Sequence, residues 1–377
     1  MKVARPVLRG PGRSNALRLP DQLSHGPAAL SASFDEPNLP VSAGLVPAVR
    51  LAQRVGLHDL SEEHVTTGAN PGSKVMCLVA AMAAGADSID DMDMLRRAGA
   101  GTVFSGVRAP STLGTFLRGF TFGHVRQLEA VAARTLIRLA QVAPLLPGIE
   151  PTCLIEIDDT VKPVFGPGKQ GAQFGYTKVC GLNTQLATFS TSESAPVIAA
   201  TRLRRGAAAS SHGAVRMLRD AIVTARRCGA GQNILVRADS AYCSSAILQA
   251  ISKAGARFRI GIPLNRRVRA ATAGIDDADW VRIEYPWAIP DPQTGELISA
   301  AEIAEMPFTA FASKPASKQV SARLIVRRIP ERNQTKLQDP LFPAFRYHAL
   351  FTDNPASLVA AESTHRGHAR GHPSPRP

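Results

Sequence analysis

Two stretches of this 377-residue chain run from apolar residues straight into carboxylates: Ile155-Glu156-Ile157-Asp158-Asp159-Thr160 and Ile234-Leu235-Val236-Arg237-Ala238-Asp239. Runs of this length and composition read as buried strands, so each delivers an acidic side chain to a strand end. Carboxylate oxygens are hard donors that suit Mg²⁺ or Mn²⁺. Two such ions about 4 Å apart activate a water or a 3′-hydroxyl and stabilise the leaving oxygen when a phosphodiester breaks. Asp158 and Asp239 are therefore the candidate catalytic and metal-binding pair. Asp159 is the runner-up for the first position, since a one-residue shift reverses which face a strand side chain serves. The competing reading is structural, because strand-end aspartates are also common turn residues.

The elements that must position the pair alternate. After Pro151 the first acidic strand ends at Asp158 or Asp159. Phe174 to Cys180 and Gln185 to Phe189 follow as strands, beyond the Gly-rich Gly166-Pro167-Gly168-Lys169-Gln170-Gly171. Ser210 or Ser211 caps a helix with Val215, Leu218, Ile222 and Ala225 on one face. Next come the second acidic strand, a helix around Ala246 to Ala254, and Arg257 to Ile262, which alternates as a half-buried strand should. Strands first, then helix–strand–helix–strand, predict a mixed α/β sheet of the RNase H type.

From about 265 to 345 prolines break the rhythm. An acidic helical turn at Ala300 to Met306 and strand-like runs at Phe308 to Ala312 and Val320 to Arg328 predict a β-rich insertion. It holds both tryptophans, Trp280 and Trp287, and an exposed tryptophan in a DNA-binding insertion, with Trp287 the candidate, would stack on an unpaired base.

Upstream, residues 1–33 are rich in Arg, Pro, Gly and Ser and predict a flexible basic arm. Residues 34–148 read as helices. Leu45, Val46, Val49, Leu51, Ala52 and Val55 make one apolar face closed by Gly56, and Lys74 to Ala84 is apolar almost all round, as for a buried helix. Asp90, Asp91 and Asp93 read as a solvated helix start, where carboxylates favour the macrodipole, in preference to a metal cluster. Arg108 to Arg118 predicts a helix with Ser111 as N-cap, Leu113, Phe116 and Leu117 inward, and Thr112, Thr115 and Arg118 outward. That helix fits DNA-groove recognition through Ser111, Thr112 and Arg118 as well as it fits a plain bundle. A long helix from about His124 to Val142 leads to a boundary at Pro147-Gly148.

Lys and Arg number 44 against 30 Asp and Glu, a net charge of +14, which points to a polyanionic partner, nucleic acid before an anionic membrane. The 45% hydrophobic content excludes a disordered chain. Five cysteines without a Cys-x-x-Cys pair give neither a disulfide framework nor a zinc site. No apolar run approaches the ~20 residues that cross a bilayer, so a soluble, cytoplasmic protein is expected.

Three motifs in order, Glu156-Ile157-Asp158-Asp159-Thr160, Gly168-Lys169-Gln170-Gly171-Ala172-Gln173-Phe174-Gly175-Tyr176 and Arg237-Ala238-Asp239-Ser240-Ala241-Tyr242, resemble the insertion-sequence DDE transposases of the thirteen-eighty family, over roughly Phe34 to Ala369. The resemblance implies an RNase H-like core with a β-insertion and an N-terminal region that binds the element's terminal inverted repeats. It also implies cut-and-paste chemistry with divalent metal, and a homo-oligomer on DNA is the expected assembly. It assigns the first two metal carboxylates to Asp158 and Asp239, and places Lys169, Gln170 and Tyr176 beside the active site. Arg202, Arg204 and Arg205, followed by Arg216 and Arg219, are the densest basic stretch of the core and are expected to grip phosphates.

The domain expectation is thus an arm (1–33), a helical DNA-binding region (34–148), the RNase H-like core (149–264), the β-rich insertion (265–345) and a return to the core with an aberrant tail (346–377). In the family a final helix carries a third carboxylate. Counting from His365 and His368 puts it at position 372, which holds His372 before Pro373; Glu362 is present but too early. Imidazole is a poor substitute at a Mg²⁺ site. The expectation is a truncated or frameshifted copy with weak or absent strand transfer. The alternatives are a DNA-binding remnant that competes with intact transposase, and a different RNase H-like nuclease acting on branched DNA.

Overall fold

Apolar residues at helical spacing fold the first part of the chain into helices, and period-two runs fold the second part into one sheet. The computed structural model describes residues 7–9, 17–18, 31–33, 43–96, 106–166, 168–283, 301–330 and 345–366. The chain divides into two compact units, residues 1–142 and 143–377.

In the first unit, β1 (Val7–Arg9), β2 (Leu17–Arg18) and β3 (Ser31–Ser33) pair as a small antiparallel sheet in the order β1-β3-β2, inside the segment expected to be a flexible arm. Helices α1 (Val46–Arg54), α2 (Leu57–His64), α3 (Pro71–Ala83), α4 (Pro110–Arg118) and α5 (Phe122–Val142) follow. Gly56 at φ 72° turns α1 into α2, a conformation that favours glycine. Leu57, Leu60, Val75, Phe116 and Val131 form one buried cluster, and Leu45, Ala81, Leu95 and Leu113 another.

Three helical details differ from expectation. Helix α3 is not buried all round, since Val79 and Met82 are exposed. Leu117 of α4 is exposed too. Ser111 is not the cap of α4: the helix begins at Pro110, so Ser111 lies inside its first turn, and Ala109 at the cap position has no side-chain acceptor. Asp91 accepts from Ser88 and Asp93 pairs with Arg96, local contacts of a 3₁₀ stretch over Asp90–Arg96.

The second unit contains β4 (Cys153–Pro163), β5 (Gln173–Phe174), β6 (Cys180–Ser190), β7 (Val197–Arg205), α6 (Ala214–Arg227), β8 (Ile234–Ala238), α7 (Ser245–Lys253), β9 (Arg257–Gly261), α8 (Arg266–Ala273), β10 (Val281–Ile283), β11 (Ala301–Ala310), β12 (Val320–Pro330), β13 (Phe345–Thr352) and α9 (Leu358–Arg366). These strands form one ten-stranded sheet, ordered β10-β11-β12-β13-β9-β8-β4-β6-β5, with β7 also on β6. Within it, β4, β8 and β9 are parallel while β6 and β7 run antiparallel. This is the mixed α/β sheet of the RNase H type.

Several elements were drawn differently by sequence. Phe174 to Cys180 is not a strand; β5 holds two residues and β6 takes the pairing. The basic stretch is itself a strand, β7. Gly213 at φ 76°, not a serine, precedes α6. The acidic turn at Ala300 to Met306 is strand β11, because Glu302 and Glu305 meet Arg328 and Arg323 across the ladder to β12, and cross-strand pairing overrides helical propensity.

One face of the sheet carries Ile155, Ile157, Val236, Phe258 and Ile260, all 0–1% exposed. Paired residues of neighbouring strands point to the same side, so the other face carries the row Glu156, Arg237, Arg259 and Thr352, continuing to Arg323. Strand β9 is therefore not half-buried: Arg259 is only 2% exposed. Arg237 bonds Glu156 and Arg323 bonds Glu305, whereas Nε and Nη1 of Arg259 meet no partner among the described residues. Burial, with Arg237 and Arg323 nearby, pushes its guanidinium down to about 10, so it stays charged at neutral pH. A buried charge without a partner costs stability. Arg259→Met is expected to raise the midpoint of thermal unfolding by at least about 2 °C; a lower midpoint in calorimetry would mean that an acidic group pairs with Arg259.

Candidate active site

The parallel register of β4 and β8 sets Ile157 beside Ala238, so the next residues stand side by side: Asp239 just past the end of β8, and Asp158 inside β4, which does not end at either aspartate but runs on to Pro163 because β6 continues to pair with it. Both belong to the face of Glu156 and Arg237. Asp158 Oδ1 accepts from the amide of Asp159 at 2.8 Å. Asp239 opens a 3₁₀ turn and accepts from the amide of Ala241 at 2.9 Å. Burial raises the Asp239 carboxyl above its ordinary value, and the charges of Asp158 and Asp159 push the same way against the amides of Ala241 and Tyr242.

Asp159 points to the opposite face, and its oxygens are already engaged. Oδ2 accepts from Arg204 Nη2 at 3.0 Å and from Asn183 Nδ2, and Oδ1 accepts from the Tyr242 hydroxyl at 3.2 Å. Gln185 Nε2 donates to the carbonyl of Ser210 at 2.7 Å. Arg204 also donates to the carbonyls of Ala209 and His212 at 3.0 and 2.7 Å. Burial lowers the Arg204 guanidinium and the Asp159 charge opposes that shift; burial drives the Tyr242 phenol upward. This network ties β4, β6 and β7 to the loop entering α6, so Asp159 is a fastener of the strand that presents Asp158.

Helix α9 covers the Asp158 face. Arg237 Nη1 donates to the carbonyl of Thr364, and Ala361 packs with Ile325 and Leu350. Glu362 Oε1 accepts from Arg327 Nη1 at 2.8 Å. Asp239, Ser240, Arg327, His348 and Glu362 line one cleft of about 460 Å³. His348 is shifted down by burial and by Arg327 and Arg346, with Glu362 opposing. Position 372 lies outside the described residues. Among the described residues no three His, Cys, Asp or Glu side chains come together as a metal-holding group. The pair nevertheless fits a hard cation: Mg²⁺ keeps several waters and is bound through one or two carboxylates plus substrate phosphates, and a divalent charge would offset the burial and the repulsion that raise Asp239.

The residues expected to touch DNA divide. Lys169, Gln170, Tyr176 and Arg205 are exposed. Arg202 is half-buried, donates to the carbonyl of Gly213 at 3.3 Å and lies 3.8 Å from Asp220. Arg204 is corrected: it is buried in the Asp159 network and has no reach to a phosphate. In the helical unit Ser111, Thr112 and Arg118 are exposed on α4, and the two hydroxyls line a shallow groove with Thr67 and Lys74. Trp287 lies outside the described residues, while Trp280 is occupied by the Arg328 guanidinium 4.2 Å from its ring centre. The fastening residues Asn183 and Gln185 went unseen in the sequence because only the β4–β6 register discloses them.

Residues 28–338 match the family model described as Transposase DDE domain group 1. No curated protein matches the sequence. Among solved structures, the cryo-EM structure of the piggyBac transposase synaptic complex with hairpin DNA aligns at 10% identity with a TM-score of 0.37, covering 88% of this chain and 66% of that one.

Proposed function

The chain belongs to the transposase DDE domain group 1 family, and on that premise we propose that it binds the terminal inverted repeats of an insertion sequence of the thirteen-eighty type and cleaves DNA there. The observation that carries this reading is the β4–β8 register, which brings Asp158 and Asp239 together on one face. Asp158 and Asp239 would hold Mg²⁺ or Mn²⁺. When bound, the metal supplies the positive charge that activates the attacking oxygen and stabilises the leaving oxygen. Arg204, Asn183 and Tyr242, through Asp159, keep β4 rigid so that Asp158 is presented in one geometry. Lys169, Gln170, Arg202 and Arg205 orient the DNA backbone, and Ser111, Thr112 and Arg118 of the helical unit meet the repeat sequence.

A second reading is a protein that binds the ends without cutting them and competes with intact transposase. It is favoured by the missing third acidic ligand among the described residues and by the engagement of Glu362 with Arg327. Purified chain incubated with Mn²⁺ or Mg²⁺ and duplexes bearing the parent element's ends separates the two. Nicks at the repeat termini support cleavage. A retarded complex without nicks establishes the binding role, and no preference for the ends over random duplex removes both.

A further inference from the structure

Beyond the carboxylates, β4 runs on to Pro163 and into a turn that carries three aromatic side chains into solvent: Phe165 is 85% exposed, Phe174 69% and Tyr176 fully so. Large aromatic side chains left this exposed in one segment point to a partner. Their support is built. A Cβ on Gly175 would collide with the carbonyl of Gly206, one on Gly206 with the carbonyls of Gln173 and Gly181, and one on Gly181 with the carbonyl of Lys162. Only glycines permit these three backbone crossings, and Gly206 also donates to the carbonyl of Gly171 at 3.0 Å. The segment bearing Phe174 and Tyr176 is thereby pinned to β6 and to the end of β7.

The charge around it has one sign. Between Asp159 and Asp220 the sequence has a single acid, Glu193, against eight Lys and Arg. Lys162, Lys169, Lys178 and Arg205 are exposed; the three lysines flank the aromatic positions along the chain, and Arg205 neighbours Gly206, on which the segment is pinned. Cations interleaved with exposed rings bind single-stranded nucleic acid, the cations taking phosphates and the rings taking base faces. Duplex DNA does not meet that demand, because its base faces are already stacked on one another.

We propose that Phe165, Phe174 and Tyr176 form a stacking platform for unpaired nucleotides of the DNA, adjoining the end of the strand that bears Asp158. The platform deepens the DNA-cleavage reading and depends on it for the identity of the polymer, but it needs neither metal nor chemistry.

The test uses the full chain in EDTA with a single-stranded oligonucleotide carrying 2-aminopurine, whose fluorescence falls on stacking. The parent is expected to bind and quench it. Phe174→Ala and Tyr176→Ala are each expected to weaken binding about tenfold or more and to lose quenching, with Tyr176→Phe retaining both. Lys169→Gln should keep the quench and lower the salt slope of binding by about one. All three substituted side chains are exposed, and unchanged thermal unfolding verifies the variants. Undiminished binding and quenching in both alanine variants, or no binding by the parent, overturns the proposal. So does equal loss on fully paired duplex, or a parent that self-associates in sedimentation while the variants do not, which would make a second copy the occupant. Loss of end cleavage with quenching intact would count against the catalytic reading alone.

Discussion

Asp158→Asn and Asp239→Asn are each expected to abolish metal-dependent cleavage of the element's ends, by roughly a thousandfold or more, while end binding persists. Each removes one of two anionic ligands for a cation that contributes several kcal/mol to charge stabilisation in phosphodiester cleavage, and about 1.4 kcal/mol is a factor of ten in rate. The variants should also lose the upward shift in unfolding temperature that Mn²⁺ gives the parent, since a ligand that binds only the folded state stabilises it. Without metal the sign reverses for Asp239. Its folded carboxyl titrates above the unfolded value, so the stability associated with it is present at low pH and is lost as pH rises from the unfolded value through the folded one. At pH 7 the neutral Asp239→Asn protein should be at least as stable as the parent, still accepting from the amide of Ala241. Calorimetry with and without Mn²⁺, beside a gel assay of end cleavage, reads both effects. An asparagine variant that cleaves at the parental rate would remove its residue from the site.

The neighbouring aspartate should behave in the opposite way. Arg204→Met is expected to destabilise the protein by about 3–5 kcal/mol, because it leaves Asp159 charged in a buried setting with one partner gone. Side chains of this pair are only 5% and 12% exposed, so solvent cannot replace the lost guanidinium. For a unit of this size that corresponds to a fall of roughly 10 °C in the unfolding midpoint. The double change Arg204→Met with Asp159→Leu should recover part of the loss, since replacing both members of a buried pair by apolar groups is often neutral. Urea unfolding of the parent, the single and the double variant measures it. A single variant as stable as the parent would mean the network fastens nothing.

The contrast between adjacent aspartates marks where sequence reading reached its limit. Both acidic strands were legible as strands from their apolar runs, but only β8 stops at its carboxylate; β4 runs past Asp158 and Asp159 to Pro163, because β6 goes on pairing with it. Which aspartate faces which side was not legible, because strand alternation fixes faces only relative to neighbours, and the neighbours become known through the β4–β6 and β4–β8 registers. Strand β7 was hidden by its arginines, which read as a phosphate grip until Arg204 turned inward to Asp159. Glu302 and Glu305 looked like the start of a helix for want of their cross-strand arginines. The exposed aromatics of the glycine turn could not be told from core residues by composition; only the backbone crossings that hold them outward reveal them.

The insertion strands do not form a sheet of their own. Strand β13 pairs directly with β9, and β12, β11 and β10 continue the same ladder. Strand β12 is flanked by β11 and β13, so opening it means parting it from β13, whose Leu350 to Thr352 in turn pair with β9. Amide hydrogen exchange should therefore show β8, β9, β13 and β12 releasing their protons as one cooperative block, with β10 at the free edge exchanging first. Strands β12 and β13 and the carboxylate-bearing β8 then share a single unfolding event, and a load placed on β12 reaches Asp239 through the hydrogen-bonded ladder β13–β9–β8.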